Sequence, residues 1–148
     1  MAYSTQTDIE EQLSQAELIQ LTDDAGSGSV DTTVVDRAIA DADDEVNSYL
    51  QERYAVPISP VPGLVRKLSV DIAIYNLFAR RDLDAPVRTQ RYENAVRLLK
   101  GLARGEASLG VEPPPAEVHD EEVQTSRGES DRTFRRGTDT ESGSLDTF

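Results

Sequence analysis

The chain has 148 residues, no cysteine, one histidine and a formal net charge of −13. That length fits one domain, and the missing thiols exclude disulfides, thiolate metal sites and thiol catalysis. The acidic balance repels phosphate and disfavours sequence-specific DNA binding; with no apolar run long enough to span a bilayer and no secretion-signal layout, a soluble, cytoplasmic chain without a membrane partner is expected.

The charge is unevenly spread. Residues 1–62 carry a balance of −11, residues 63–105 of +5 and residues 106–148 of −7. The split suits an acidic N-terminal part facing a basic middle part, within one subunit or between neighbours; two separately solvated faces are the plainer reading.

Residues 1–6 read as a loose arm with Tyr3 as its only anchor. Thr7-Asp8-Ile9-Glu10 has the form of a capping box and predicts a short helix over about 8–13. Ser14-Gln15-Ala16-Glu17 repeats the form and predicts a second short helix to about residue 21. Ile9, Leu13, Leu18 and Leu21 are the expected buried residues of the pair. The 22–30 stretch, with Gly26 and Gly28, is a turn. Aligned to a calcium loop it places Asp23 first and Asp31 ninth, but Ala25 third and Val34 twelfth, so two carboxylate ligands are lost. The reading is a glycine-rich turn closed by Asp31 as a helix cap.

The long stretch 31–62 organises the chain. Val34, Val35, Ala38, Ile39, Ala42, Val46, Tyr49 and Leu50 make one apolar stripe at helical spacing and predict a helix over 31–54. Asp36, Arg37, Asp41, Asp43, Asp44, Glu45, Glu52 and Arg53 fall on the other face. Three prolines, Pro57, Pro60 and Pro62, then force an extended strap over 55–62, which packs on its own bundle or reaches a neighbouring subunit. A third major helix is expected over 62–82, apolar around so much of its surface (Leu64, Val65, Leu68, Ile72, Ile74, Tyr75, Leu77, Phe78, Ala79) that it is placed at the centre. Asp71 near that face is read as an Arg partner or a cap, with a catalytic acid as the alternative. Asp84 is the expected cap of a last helix over 86–104, with Val87, Tyr92, Ala95, Val96, Leu99, Leu102 and Ala103 inward and Gly105 as its stop. The fold class is therefore all-α: a small bundle of two short and three longer helices over 1–105, with a Pro-rich strap. Residues 106–148 are expected to form an extended acidic arm without a core of its own, ordered only on docking. Two islands in it, Phe134-Arg135-Arg136 and the ending with Leu145 and Phe148, have the form of docking motifs.

No Ser-His-Asp set, phosphate-cradling glycine loop or histidine metal cluster can be assembled, and His119 stands alone in the polar arm. The carboxylates are expected on exposed helix faces rather than in clefts that shift their pKa. An enzyme is not expected, nor any cofactor or metal; binding and assembly remain.

Several segments agree in order and spacing with one family. Glu17-Leu18-Ile19-Gln20-Leu21-Thr22-Asp23, Arg37-Ala38-Ile39-Ala40-Asp41-Ala42-Asp43-Asp44-Glu45-Val46, Tyr49-Leu50-Gln51-Glu52-Arg53-Tyr54-Ala55-Val56-Pro57 and Arg91-Tyr92-Glu93-Asn94-Ala95-Val96-Arg97-Leu98-Leu99 resemble the small head–tail joining proteins of Mu-like tailed phages and prophages. The Phe134-Arg135-Arg136 island and Phe148 loosely resemble the ending of such proteins. The resemblance implies a connector adaptor at the virion neck: a homo-oligomeric, dodecameric ring beneath the portal of a DNA-filled head, whose partners are the portal protein and the next connector or tail-completion protein. DNA passes through it as non-specific cargo.

On that reading Asp23, Asp24, Asp31, Asp41, Asp44 and Glu45 are the expected channel-facing acids, since an acidic wall lets DNA slide. Arg88, Arg91, Arg97 and Lys100 are the expected subunit-contact bases. Phe134, Arg135, Arg136, Leu145 and Phe148 are the expected portal or neighbour docking residues. A non-structural interaction module that recruits a partner through its tail, and a calcium sensor or metal enzyme built on the 23–31 turn, are the alternatives.

Overall fold

The computed structural model describes residues 1–110. Among them lie helices α1 (Gln6–Glu10), α2 (Gln15–Thr22), α3 (Thr32–Leu50), α4 (Gly63–Arg80) and α5 (Pro86–Ala103), with no strand. The all-α bundle of two short and three longer helices is what the periodicity demands.

Ser14 caps α2 as its spacing to Glu17 requires. Its hydroxyl accepts from the Glu17 N–H, and the Glu17 carboxylate accepts from the Ser14 N–H. The first capping box lies elsewhere than expected. Thr5, not Thr7, caps α1, and Asp8, not Glu10, is the acid that reaches back. The helix starts early because the chain is already fixed on the body two residues before it. Tyr3 is only 2% exposed, and the Ser4 hydroxyl lies 2.8 Å from that of Ser69 in α4. From Tyr3 onward the expected loose arm is a bound one.

Asp31 caps α3 by accepting from the N–H groups of Thr33 and Val34. The stripe Val35, Ala38, Ile39, Ala42, Val46 and Leu50 is buried. Asp43, expected on the solvent face, is buried as well; it stands four residues after Ile39 and three before Val46, inside the stripe. The helix ends at Leu50 rather than at residue 54. The N–H groups of Arg53 and Tyr54 both reach back to the Leu50 carbonyl, at 3.0 and 2.8 Å. That turn carries buried Tyr54 and Ile58 against the body. The Ile58 N–H donates to the Tyr3 hydroxyl at 2.9 Å, so the strap packs on its own bundle.

Central α4 packs against α3, α5 and both short helices. Its buried run Leu68, Ser69, Val70, Asp71, Ile72, Ala73 and Ile74 covers the full helix circumference. A buried Leu or Ile side chain stabilises by about 1.5–3 kcal/mol, against about 1 kcal/mol for a cap. Packing on Ile72, Ile74 and Leu77 therefore sets the bundle, and the caps only trim its ends.

In α5, Ala95, Leu99 and Leu102 face the core. The first turn departs from expectation twice. Ala85, not Asp84, stands at the N-cap, with no side-chain cap bond. Val87, expected inward, is 67% exposed. Counting back from half-buried Tyr92 by four residues reaches Arg88, which occupies the inward-leaning slot and rotates Val87 out. Gly105 stops the helix at φ +78°, with the Arg53 guanidinium packed where a side chain would stand. Packing continues beyond it: Ala107 and Leu109 lie against the core, and the Leu109 N–H donates to the Tyr54 hydroxyl.

Candidate functional site

Polar chemistry collects in three places on this body. The first is buried. The Asp43 carboxylate accepts from the Tyr3 N–H at 2.9 Å and from the Ser69 hydroxyl at 2.6 Å. The Tyr3 hydroxyl donates to Asn47 while accepting from Ile58. The N-terminal arm, α3, α4 and the strap are thus tied through one aromatic residue and one carboxylate. Burial pushes the Asp43 carboxyl above its ordinary value, and the bonds from Ser69 and Tyr3 pull it back.

The second place is the basic side of α4 and α5. Asp71 is 8% exposed, and its Oδ1 has no hydrogen-bond partner. Arg91 stands 3.8 Å away, an ion pair too long for a hydrogen bond. Burial pushes the Asp71 carboxyl up, against the pull of Arg91, Lys67 and Arg88. Asp43 and Asp71 therefore correct the expectation that no carboxylate sits in a pKa-shifting setting. Each acid falls within an apolar stripe, and Asp71 has the arginine partner that its place near that face predicts. Arg88 and Arg91 also donate to the Gln12 backbone carbonyl and side chain, which ties the end of α1 to α5.

The linkage sign for Asp71 is fixed by the direction of its shift. A carboxyl raised in the folded state favours folding most below its unfolded pKa, and that stability is lost as pH rises through the folded value. At neutral pH the Asp71 charge therefore opposes folding. Asp71→Asn is expected to raise stability at neutral pH by about 1 kcal/mol, because Arg91 on the surface stays solvated without it. Urea midpoints measured from acid to neutral pH should show the gain only above the carboxylate range. A variant less stable at neutral pH would mean that the three cations outweigh burial.

The third place is the 23–30 turn. Asp23 accepts from the N–H groups of Ser27 and Gly28 at 2.9 and 2.7 Å, which holds its carboxyl below the usual range. Asp24 pairs with Arg80 and Arg81 at the end of α4. The same two guanidiniums donate to the carbonyls of Leu21 and Asp23 at the end of α2. Each carboxylate of the would-be calcium loop is thus engaged, Asp31 by its own helix. Among the described residues no group of three His, Cys, Asp or Glu side chains is placed to hold a metal.

The expected channel-facing acids separate on this geometry. Asp23, Asp24 and Asp31 serve the turn and the cap. Glu45 accepts from the Tyr92 hydroxyl at 2.9 Å, and burial with that bond pushes the phenol up to about 12. Tyr92 in turn stacks on Tyr75 of α4, ring centres 4.1 Å apart. Asp41 and Asp44 remain exposed, with Asp36 beside them on α3. Of the expected contact bases, Arg97 donates to Asn94 on its own helix, and Arg91, Arg97 and Lys100 are exposed. The acidic and basic segments form ion pairs within the subunit at Asp24, with Arg80 and Arg81, whereas Asp71 and Arg91 both belong to the basic segment. The docking candidates Phe134, Arg135, Arg136, Leu145 and Phe148, together with His119, lie outside the described residues.

No helix among the described residues is long and apolar enough to cross a membrane. The chain is 34% identical over 100 residues to the Mu-like prophage FluMu protein gp36 of Haemophilus influenzae; that stretch covers 68% of this chain and 66% of the relative, leaving about a third of the relative's length unmatched. It is 28% identical over 113 residues to Gene product J of Escherichia phage Mu, covering 76% of this chain and 79% of that protein. The family model described as Bacteriophage Mu, Gp36 matches residues 3–127, which takes in the whole helical body. The chain therefore belongs to the Bacteriophage Mu, Gp36 family, whose relatives occur in phage Mu and in a Mu-like prophage.

Proposed function

We propose that the chain is a non-catalytic virion protein, an adaptor of the head–tail connector that assembles as a ring at the neck. The observation that carries this reading is the division of exposed charge on the helical body of a chain that belongs to a phage family. Asp36, Asp41 and Asp44 point outward from α3, while Arg91, Arg97 and Lys100 point outward from α5. Opposite charges on two patches of one body favour head-to-tail contacts between copies. An acidic surface turned to the bore lets DNA pass without sticking. In this reading the Phe134-Arg135-Arg136 and 145–148 segments dock on the portal or a neighbouring subunit, the opposite rim of the ring receives the next connector protein, and DNA is cargo only.

A phage or induced prophage lacking this gene is expected to accumulate filled heads and complete tails that stay unjoined, as counted by electron microscopy of the lysate. Supplying the protein in trans should restore joined particles. Normal infectious particles without the gene product would remove the connector role and favour a non-structural interaction module.

A further inference from the structure

Among the described residues, Met1, Leu83 and Val87 are the large apolar side chains that stand exposed. Leu83 is 40% and Val87 67% exposed, and both sit at the corner between α4 and α5. Asp82, in the left-handed conformation at φ 51°, makes the turn that lifts this corner from the body. A groove of about 430 Å³ lies between α3 and α4, with Val34, Ala38 and Leu77 at its base and Arg37 and Asp41 on its rim. Asn76, Leu77 and Arg80 border this groove, while Tyr75, Phe78 and Ala79 border the corner. At 100° per residue those two sets fall on opposite sides of the same stretch of α4. Knob and groove therefore stand at one height on opposite flanks of the body.

Their charges match crosswise. The corner carries Asp84 and Arg88, and the groove rim carries Arg37 and Asp41. Asp84, Arg37 and Asp41 have no ion-pair partner among the described residues, and neither has Arg88, one of whose N–H groups donates to the Gln12 carbonyl. An apolar corner left uncovered by the other described residues, and a groove of fitting chemistry on the opposite flank, suit a second copy of this chain as occupant.

We infer that the 83–87 corner of one copy seats in the α3–α4 groove of the next, with Leu83 and Val87 on Val34, Ala38 and Leu77, Asp84 against Arg37, and Arg88 against Asp41. The contact joins two different patches, so it repeats head to tail and closes into a ring or runs on as a filament. It rests on the self-association in the proposed connector role and names the surface that carries it.

The chain has no cysteine, so two introduced thiols report the contact cleanly. Full-length protein carrying Thr33→Cys and Val87→Cys together, treated with a short bismaleimide, should give a ladder of covalent dimers, trimers and larger species. Either single variant should stop at dimer or below. Val87→Glu should raise the concentration needed for self-association by about tenfold or more in sedimentation velocity, with an unchanged melting temperature. Arg37→Glu should do the same, and adding Asp84→Lys to it should restore assembly. Oligomers that persist in Val87→Glu without any ladder would overturn the contact and leave the connector role standing. A chain that stays monomeric at every concentration, without a ladder, overturns the contact too. A ladder from a protein absent from purified particles supports the contact and removes the connector role.

Discussion

Tyr3→Ala is expected to destabilise the body by about 3–5 kcal/mol, in the range of other buried aromatic truncations. Tyr3 lies near the chain start, yet it is buried and joins three otherwise separate pieces: α3 through Asp43 and Asn47, the strap through Ile58, and its own arm. Removing the ring opens a cavity and strands the Ile58 N–H as a buried donor. The melting temperature should fall by about 10 °C or more, followed by circular dichroism at 222 nm. Tyr3→Phe separates the two contributions. It keeps the packing, loses only the hydroxyl, and should cost about 1–2 kcal/mol. A Tyr3→Ala protein that melts with the wild type would mean that the arm merely rests on the body.

The second large effect concerns the stretch that follows α5. A chain cut after Gly110 is expected to melt like the full-length protein yet to lose binding to purified portal on the order of a hundredfold or more, because the proposed docking islands are gone. A chain cut after Gly105 should in addition be less stable by about 2–3 kcal/mol, since it strips Ala107 and Leu109 from the core. Both N–H groups of Glu106 and Ala107 return to the Gly101 carbonyl, at 2.9 and 3.2 Å, so this short return closes the end of α5. Equal melting of the two truncated chains would mean that Ala107 and Leu109 add nothing to the stability of the bundle. Unchanged portal binding by both would take docking away from the Phe134 and Phe148 islands.

Much of this architecture is legible in the sequence, and the departures have identifiable causes. The stripes of α3 and α4 are strongly periodic, and the Ser14 and Asp31 caps are local, so pattern and chemistry point the same way. The start of α1 is not local: Thr5 and Thr7 are both possible caps, and the choice falls to Tyr3 and Ser4 gripping distant residues of α3 and α4. Val87 looks inward by type alone, but the register of Ala95 and Leu99 turns Arg88 inward instead. Of the two buried acids, Asp43 misled: charge assigns it to the surface, whereas its spacing assigns it to the core, where Tyr3 and Ser69 supply its donors. Asp71, placed near the apolar face and read as a partner for an arginine, stands beside Arg91 as that reading expects. Of the six acids expected at a channel, charge alone could not separate those left exposed from those engaged inside the subunit. For Asp24 and Glu45 that distinction depends on Arg80, Arg81 and Tyr92, which come from far along the chain.

An electron cryomicroscopy reconstruction of the neck of assembled particles bears most directly on the proposed role. The expected density is a closed ring of helical bodies between portal and tail, with Asp36 and Asp44 of α3 turned to the bore and the α4–α5 corner of each copy against its neighbour. A ring whose bore is lined by Arg91, Arg97 and Lys100, or a neck that holds no copy of this chain, would contradict it.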